Sequence, residues 1–251
     1  MATRIFTAAG ENPARVLRYF ACRGRGEALR LALIDCGVGF TDERVPIDDL
    51  SVFQKAKNDP QVGGPFAALP VLKWDGHVLA QTLPIANYLS GQLGPDHREP
   101  RPERRAFLDM ITSAAHLDMQ VPYGPLFWSP VDQPQEQLLK AAVMLFNGLA
   151  MKLAQLEALF ERAAGNGPFF GGAEPAMADY FVYESLSRGC AVFGPWFESR
   201  LEDSPRMKAL SRAIASRPAV AAYLGSGRVP LQASGSPSEM ALRKRLAESK
   251  F

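Results

Sequence analysis

Cysteine is scarce in this chain of 251 residues: Cys22, Cys36 and Cys190 are the only ones, and no two form a C-x-x-C pair or a zinc-ligand spacing. That excludes a disulfide framework and a dithiol redox motif, and an odd number of scattered thiols suits a reducing compartment. His77, His97 and His116 are equally scattered, so no metal site is expected. Charge of one sign is not in excess either. The net charge is +2, which gives no nucleic-acid footprint. The most basic run, Arg243-Lys244-Arg245, is short and reads as a solvated helix face. No apolar run reaches the roughly 20 residues that a membrane span takes. Met1 to Arg18 lacks the continuous apolar stretch of a signal peptide. The expectation is a cytoplasmic protein with no membrane and no nucleic-acid partner.

What is present is ordinary globular material, 47% hydrophobic and 22% charged, in a chain long enough for one large core or two smaller ones. Residues 1–14 read as a loose N-terminal extension. Residues 15–20, Arg-Val-Leu-Arg-Tyr-Phe, read as a strand, and Gly24 and Gly26 bracket Arg25 in a turn. Apolar positions from Glu27 to Cys36 predict a helix stopped by Gly37. Phe40 to Val45 alternates as a second strand, and residues 46–64 read as irregular. Two short apolar runs around Asp75-Gly76 signal a hairpin. Thr82 is placed to cap a helix through Leu89. Residues 15–93 are therefore read as one β-α-β, β-β-α domain with a mixed sheet. Residues 94–102, rich in Gly, Pro and charge, read as a linker.

Beyond the linker the pattern turns helical, over 103–120, 135–163, 178–193 and 205–224, with no strand signal. Leu138, Leu139, Val143, Phe146, Leu149, Leu153, Leu156 and Phe160 form an apolar stripe. Residues 103–231 are read as an all-helical domain. The tail, 232–251, starts loose and ends in a short amphipathic helix over 238–249.

The run Tyr19-Phe20-Ala21-Cys22-Arg23-Gly24-Arg25-Gly26-Glu27 resembles the first strand and turn of the tyrosine-type cytosolic glutathione S-transferases, the sigma, mu, pi and alpha classes, with sigma the nearest. Leu69-Pro70-Val71-Leu72, Asp75-Gly76, Leu79-Ala80-Gln81-Thr82 and Ile85-Ala86-Asn87-Tyr88-Leu89 are similar to that family's glutathione-binding hairpin and helix. The likeness covers most of residues 15–93. Over 100–225 it rests on helical content and Ala178-Asp179. It implies a thioredoxin-like first domain, glutathione as co-substrate, no metal and a homodimer that serves detoxification.

The resemblance also assigns roles. A free thiol has a pKa of roughly 8.5, so an enzyme that uses glutathione as a nucleophile must favour the thiolate. A hydroxyl donor and a nearby cation both do so. Tyr19 is the implied donor and Arg25 the implied cation, whereas Arg23 reads as structural. Ala68 and Leu69 precede Pro70, and the resemblance implies a cis bond at Pro70. Leu69 would then pair its backbone with the cysteinyl part of glutathione like an added strand. Gln81 and Thr82 open a helix whose N-terminus suits the glutamyl carboxylate. Threonine replaces the family's usual serine and keeps the hydroxyl. Phe53 and Lys57 match by spacing a Trp and a Lys that meet the glycyl end, although Phe53 has no indole donor. Lys55 is a rival for Lys57, because residues 57–65 are longer than the family pattern.

Two further departures stand out. Ser113, with Asp109 and Asp118 nearby, falls where some classes place an aspartate that reaches the neighbouring subunit. Ala176 replaces the Ser or Thr that caps the helix at Asp179, removing half of a reciprocal cap at a cost of about 0.5–2 kcal/mol. Phe20, Ala21, Met119, Tyr123 and Phe127 are the candidates for an apolar electrophile pocket between the domains, and Cys22 reads as a small buried filler. The implied activity is attack of the glutathione thiolate on small apolar electrophiles. A second reading is a non-catalytic binder or a structural protein such as the lens crystallins derived from this fold, against which the retained Tyr19 counts. A thioredoxin-like redox enzyme fails on the missing C-x-x-C.

Overall fold

The structure is a computed structural model that describes residues 3–6, 14–47, 49–93, 101–127, 134–163, 167–230 and 237–248. Strand β2 (Arg15–Phe20) lies at the centre of a five-stranded mixed sheet. On one side it runs parallel to β3 (Thr41–Val45), with Tyr19 opposite Arg44. On the other it runs antiparallel to β4 (Val71–Trp74), which forms a hairpin with β5 (His77–Ala80). The hairpin turn places Asp75 at φ 47° and Gly76 at φ 93°, the doubly positive conformation that fits the twist of a two-residue loop. The parallel pairing of β2 and β3 requires a crossover, and α1 (Glu27–Asp35) supplies it over one face. Helix α4 (Thr82–Ser90) follows the hairpin.

Three local readings are corrected. The segment 1–14 is not wholly loose: β1 (Thr3–Phe6) pairs antiparallel with the outer edge of β3. Four residues are too few to show a period, and their pairing is set by a distant strand edge. Residues 46–64 contain α2 (Leu50–Ala56) and the single turn α3 (Pro60–Gly63). Both start on an aspartate: Asp49 accepts from the Ser51 N–H at 3.0 Å and Asp59 from the Gln61 N–H at 2.8 Å, a capping device that needs no apolar period. Thr82 is the first residue of α4 rather than its cap, and Gln81 holds the cap position with no side-chain bond.

Among the described residues beyond 100, the only strand-type pairing is a bridge between Phe169 and Gly172. Helix α5 (Pro102–Ser113) continues as a π-helical stretch over 114–120 and a 3-10 turn over 121–123 into α6 (Gly124–Phe127). Then come α7 (Gln135–Ala163), α8 (Met177–Phe193) and α9 (Pro195–Glu202), the last not expected from sequence. The run read as one helix over 205–224 divides into α10 (Pro205–Ala215) and α11 (Pro218–Gly225), because Pro218 has no N–H to continue the ladder. Helix α12 (Pro237–Glu248) matches the expected tail helix. The linker at 94–100 and the loose segment at 231–236 lie outside the described residues.

Helix α8 is the hub of this half, buried along most of its length and packed against α1, α5, α9 and α10. The Asp179 carboxylate accepts the Ala176 N–H at 2.8 Å, the Gly171 N–H at 3.0 Å and the Phe170 N–H at 2.7 Å. The missing Ser or Thr at Ala176 removes only the return bond. The buried face of α7 is Leu138, Ala142, Leu145, Leu149, Leu153, Leu156 and Phe160, so the expected stripe is out of phase in its first turns. Val143 lies outside, with Met144 and Met151. By length and composition Glu136–Arg162 is also apolar enough to cross a bilayer, which corrects the reading that no run is. Here that apolarity is divided between a core face and an exposed methionine face.

A buried ionic network ties the sheet to the last helices. Arg30 binds Glu27 and Asp42, both at 2.9 Å, and Arg44 binds Asp42 at 2.8 Å. Tyr223 on α11 donates to Glu27 at 3.0 Å and accepts from Arg44 at 2.9 Å.

Candidate active site

Tyr19 stands near the C-terminal end of the central strand β2, its side chain almost wholly buried. The backbone N–H of Arg25 donates to its hydroxyl at 2.9 Å. The turn that brings this N–H back is closed by Gly24 and Gly26, and both are shaped by the ring. A Cβ on Gly24, which sits at φ +40°, would lie 2.4 Å from the Tyr19 oxygen, and one on Gly26 would lie 2.7 Å from Cγ and Cδ1. The Tyr19 ring and the two glycines thus form one packed unit. Burial, and secondly the Cys22 sulfur, push the Tyr19 pKa up to about 12, against the Arg25 N–H and the charges of Arg188 and Arg25. The phenol stays protonated at neutral pH. Its oxygen already accepts a bond, and among the described residues nothing accepts its hydrogen. It is a hydrogen-bond donor in waiting, not a base.

The turn is held from below by α8. Arg188 donates to the Gly24 carbonyl. Glu184, fully buried, accepts from Arg188 at 3.0 Å and from Arg23, which also reaches Ser187 at 2.9 Å. Arg23 is structural, as read from the sequence, and its partner lies 161 residues away. Arg25 itself is exposed at the rim.

A cleft of about 190 Å³ opens beside Tyr19. Phe20, Cys22, Gly24, Arg25 and Leu69 line it from the sheet half, and Gln120, Val121, Tyr123, Gly124, Phe127 and Arg188 from the helical half. Of the residues expected around an electrophile, Phe20, Tyr123 and Phe127 are thus brought together with Tyr19. Met119 is not: it is fully buried in the core, because the π-helical stretch turns it inward. Ala21 is half-buried and does not line the cleft, and its N–H donates to the Val45 carbonyl at 2.7 Å. Gln120 and Arg188 were missed. Gln120 is fixed by the His116 ring at 3.1 Å, the Phe181 carbonyl at 3.2 Å and the Ser185 hydroxyl at 3.1 Å. The nearest available signal was the spacing of Glu184 and Arg188, which in sequence looks like any solvated helical ion pair.

The Leu69–Pro70 bond is cis. Leu69 is half-buried, and among the described residues none hydrogen-bonds its backbone N–H or C=O. Gln81 has φ +72°, a left-handed conformation that costs about 1–3 kcal/mol in a non-glycine residue and clusters at functional sites. It precedes the buried Thr82 and the first turn of α4, whose N–H groups have no side-chain cap. Phe53 is buried, its ring 5.3 Å from that of Phe20, which is in turn 5.5 Å from Tyr19. It supports the wall rather than lining it. Ala68 donates its N–H to the Gly63 carbonyl at 2.9 Å. Lys57 is half-buried at the end of α2, whereas Lys55 is exposed, and neither lines the cleft. Of the acids near Ser113, Asp109 accepts from Asn87 at 3.3 Å and Asp118 pairs with Lys152 at 2.9 Å.

Residues 117–227 match the family described as "Glutathione S-transferase, C-terminal domain". The chain is 27% identical to "Glutathione S-transferase P 1" of Xenopus laevis over 85% of its own length and 93% of the relative's. It is 26% identical to "S-crystallin 2" of Octopus vulgaris, over 85% and 97%. Among solved structures it superposes on a pi-class glutathione S-transferase of Onchocerca volvulus with a TM-score of 0.70, at 23% identity, over 89% of this chain and 99% of that one.

Proposed function

This chain belongs to the cytosolic glutathione S-transferase family, and from that premise we infer that Tyr19 holds the sulfur of glutathione as a thiolate for attack on a small apolar electrophile. The observation that carries the assignment is the Tyr19 hydroxyl. It is buried, protonated, fixed by the Arg25 N–H, and left with an unused hydrogen at the cleft. A hydrogen bond to a charged acceptor contributes roughly 1.5–3 kcal/mol, and one pKa unit is about 1.4 kcal/mol. Tyr19 alone therefore lowers the thiol pKa by about 1–2 units, from roughly 8.5 to near neutrality. The positive charges of Arg25 and Arg188 act in the same direction.

The rest of glutathione follows the open backbone. The unengaged N–H and C=O of Leu69, after Ala68 and before cis-Pro70, receive the cysteinyl residue as an added strand. The uncapped first turn of α4, with Gln81 and the Thr82 hydroxyl, receives the glutamyl carboxylate. Lys57 or its rival Lys55 meets the glycyl carboxylate, above the Phe53–Phe20 wall. The enzyme is read as a cytoplasmic homodimer that acts in detoxification. Support for the dimer is an exposed apolar face, Met110, Leu117, Val143, Met144 and Met151, beside a groove of about 390 Å³ between α5 and α7. Exposed apolar side chains of this kind suit an interface between copies of the chain.

The test is the ultraviolet difference spectrum of the protein with glutathione, titrated over pH for wild type and Tyr19→Phe. A thiolate band near neutral pH that moves up by about 1–2 units in the variant is expected. Binding without a thiolate band would place the chain with the non-catalytic members of the fold and refute the assignment.

A further inference from the structure

Two hydrogen bonds converge on one peptide group. The carbonyl oxygen of Gly24 accepts from Arg188 Nη2, and the N–H of the same peptide, that of Arg25, donates to the Tyr19 hydroxyl at 2.9 Å. A trans peptide group is planar, with its C=O and N–H pointing in opposite directions. Holding both ends therefore fixes the plane, and with it the direction from which the phenol oxygen is approached.

Arg188 is itself held. It bonds Glu184 on the same helix at 3.0 Å, and Glu184 also takes Arg23. The Arg23 carbonyl in turn receives the N–H groups of Gly26 at 3.2 Å and Glu27 at 2.9 Å, which closes the turn. Charge is uneven at this point. Arg30 lies 5.7 Å from the centre of the Tyr19 ring, but it and Arg44 are matched by Glu27 and Asp42. Arg23 and Arg188 share the single carboxylate of Glu184, so one positive charge is left over beneath the turn. The Arg188 side chain is 3% exposed, whereas Arg25 stands in water. A buried charge is screened much less than an exposed one.

We propose that Arg188 is a positioning residue for thiol activation, acting on the glutathione sulfur from the helical half through the Gly24–Arg25 peptide and Tyr19. This rests on the glutathione-conjugating reading above. The guanidinium donates to the carbonyl oxygen, and such a charge-assisted bond is roughly twice as strong as a neutral one. It draws electron density from the amide, so the Arg25 N–H donates more strongly to the phenol oxygen. The phenol O–H then donates more strongly to sulfur. Bonds in such a chain reinforce one another by about 10–30% each. When the S–H bond of glutathione breaks, its proton passes to water and the electron pair stays on sulfur. Negative charge therefore arises at the end of the chain, where fixed donors act most strongly. The charge of Arg188 also weighs more on the Tyr19 hydroxyl than that of Arg25 does. Cys22, Tyr123 and His116, which lie near this unit, do not titrate near neutrality. Burial pushes Cys22 up to about 12 and Tyr123 up, and holds His116 down at about 4.

The experiment titrates the thiolate band of bound glutathione, and the pH profile of kcat/KM with chlorodinitrobenzene, in the full chain. The variants are Arg188→Met, Arg188→Lys, Tyr19→Phe, and Tyr19→Phe with Arg188→Met. Arg188→Met leaves Glu184 paired with Arg23, so no buried carboxylate loses its last partner. It is expected to raise the thiol pKa by about 1 unit, which is about tenfold less thiolate at a pH below both values. The acidic limb of the rate profile should move with it. Arg188→Lys, which keeps the charge, should recover at least about half of the shift. In the Tyr19→Phe background the same Arg188→Met change should move the pKa by less than about 0.3 unit, because the chain has lost its last member. An Arg188→Met protein whose thiol pKa stays within about 0.2 unit of wild type would overturn the proposal. So would a shift of equal size with and without the Tyr19 hydroxyl, which marks a charge acting directly on sulfur. Should Arg188→Met not fold, Arg188→Gln is read against the same limits. A wild type that shows no thiolate band with glutathione would refute the conjugating reading itself, so the two failures are distinct.

Discussion

Gly26 offers a test in which two accounts of the active-site turn predict opposite signs. Its backbone is at φ −95°, ψ −21°, a conformation that alanine adopts freely. If backbone entropy alone decided, Gly26→Ala would stabilise the protein by about 0.4–1 kcal/mol. The packing says otherwise. The new methyl would lie 2.7 Å from Cγ and Cδ1 of Tyr19 and 3.0 Å from its Cβ, where carbon atoms rest at about 3.5–4.0 Å. These are the root of the ring, not a flexible end, so Tyr19 must retreat by roughly 1 Å. Overpacking of this kind costs about 1–3 kcal/mol. A displacement of about 1 Å at a catalytic donor costs on the order of 100-fold in rate. The expected variant is less stable, with the thiolate band of bound glutathione shifted toward that of free glutathione. Urea unfolding and the pH-dependent difference spectrum read both quantities. The double variant Tyr19→Ala, Gly26→Ala completes a cycle in which the stability penalty of Gly26→Ala should vanish, a coupling of about 1–3 kcal/mol. A Gly26→Ala protein as stable as wild type with its thiolate band unmoved would refute the view that the glycine is required by the ring.

Other consequences follow from buried groups and one exposed face. Tyr223→Phe removes the hydroxyl shared by Glu27 and Arg44 and should cost about 1–3 kcal/mol in urea unfolding. Burial holds His116 down at about 4, below its ordinary value of 6.5. The unfolded chain binds this proton first as pH falls, so stability should decline from about pH 6.5 to about 4, by on the order of 3 kcal/mol from this residue. Denaturation curves of His116→Phe should lack that part of the slope. Met144→Asp with Met151→Asp places charges on the exposed face of α7 and should yield a monomer in sedimentation, with unfolding of the single chain little changed.

Legibility in the sequence followed how local each feature is. Tyr19, the glycine turn, Leu69-Pro70 and Gln81-Thr82 lie in short ordered runs, and the Asp75-Gly76 hairpin is readable because its turn chemistry is written in two adjacent residues. Helices α5, α7 and α8 were legible from their period. Helix α2 was hidden because it is short and starts on Asp49 rather than on an apolar stripe, and β1 because it takes its place from an edge of β3. The helical half of the site was hidden for a different reason. Glu184 and Arg188 are four apart on a helix, the same spacing as a pair in water, and only the fold shows that Arg23 and Gly24 arrive to bury them. Met119 and Tyr123, four apart in sequence, part company because a π-helical turn lies between α5 and α6. Both are buried, but only Tyr123 borders the cleft.

The grip of Glu184 on both Arg23 and Arg188 sets a rule for recombination. A chimera that joined the sheet half of this chain to the helical half of a relative with an apolar residue at the position of Glu184 would bury the Arg23 guanidinium with no counter-ion, a defect of about 3–5 kcal/mol. Cutting and rejoining within 94–101 is thus harmless to neither fragment unless positions 23, 184 and 188 travel together. Halves shuffled at random should survive selection mainly as matched sets at these three sites.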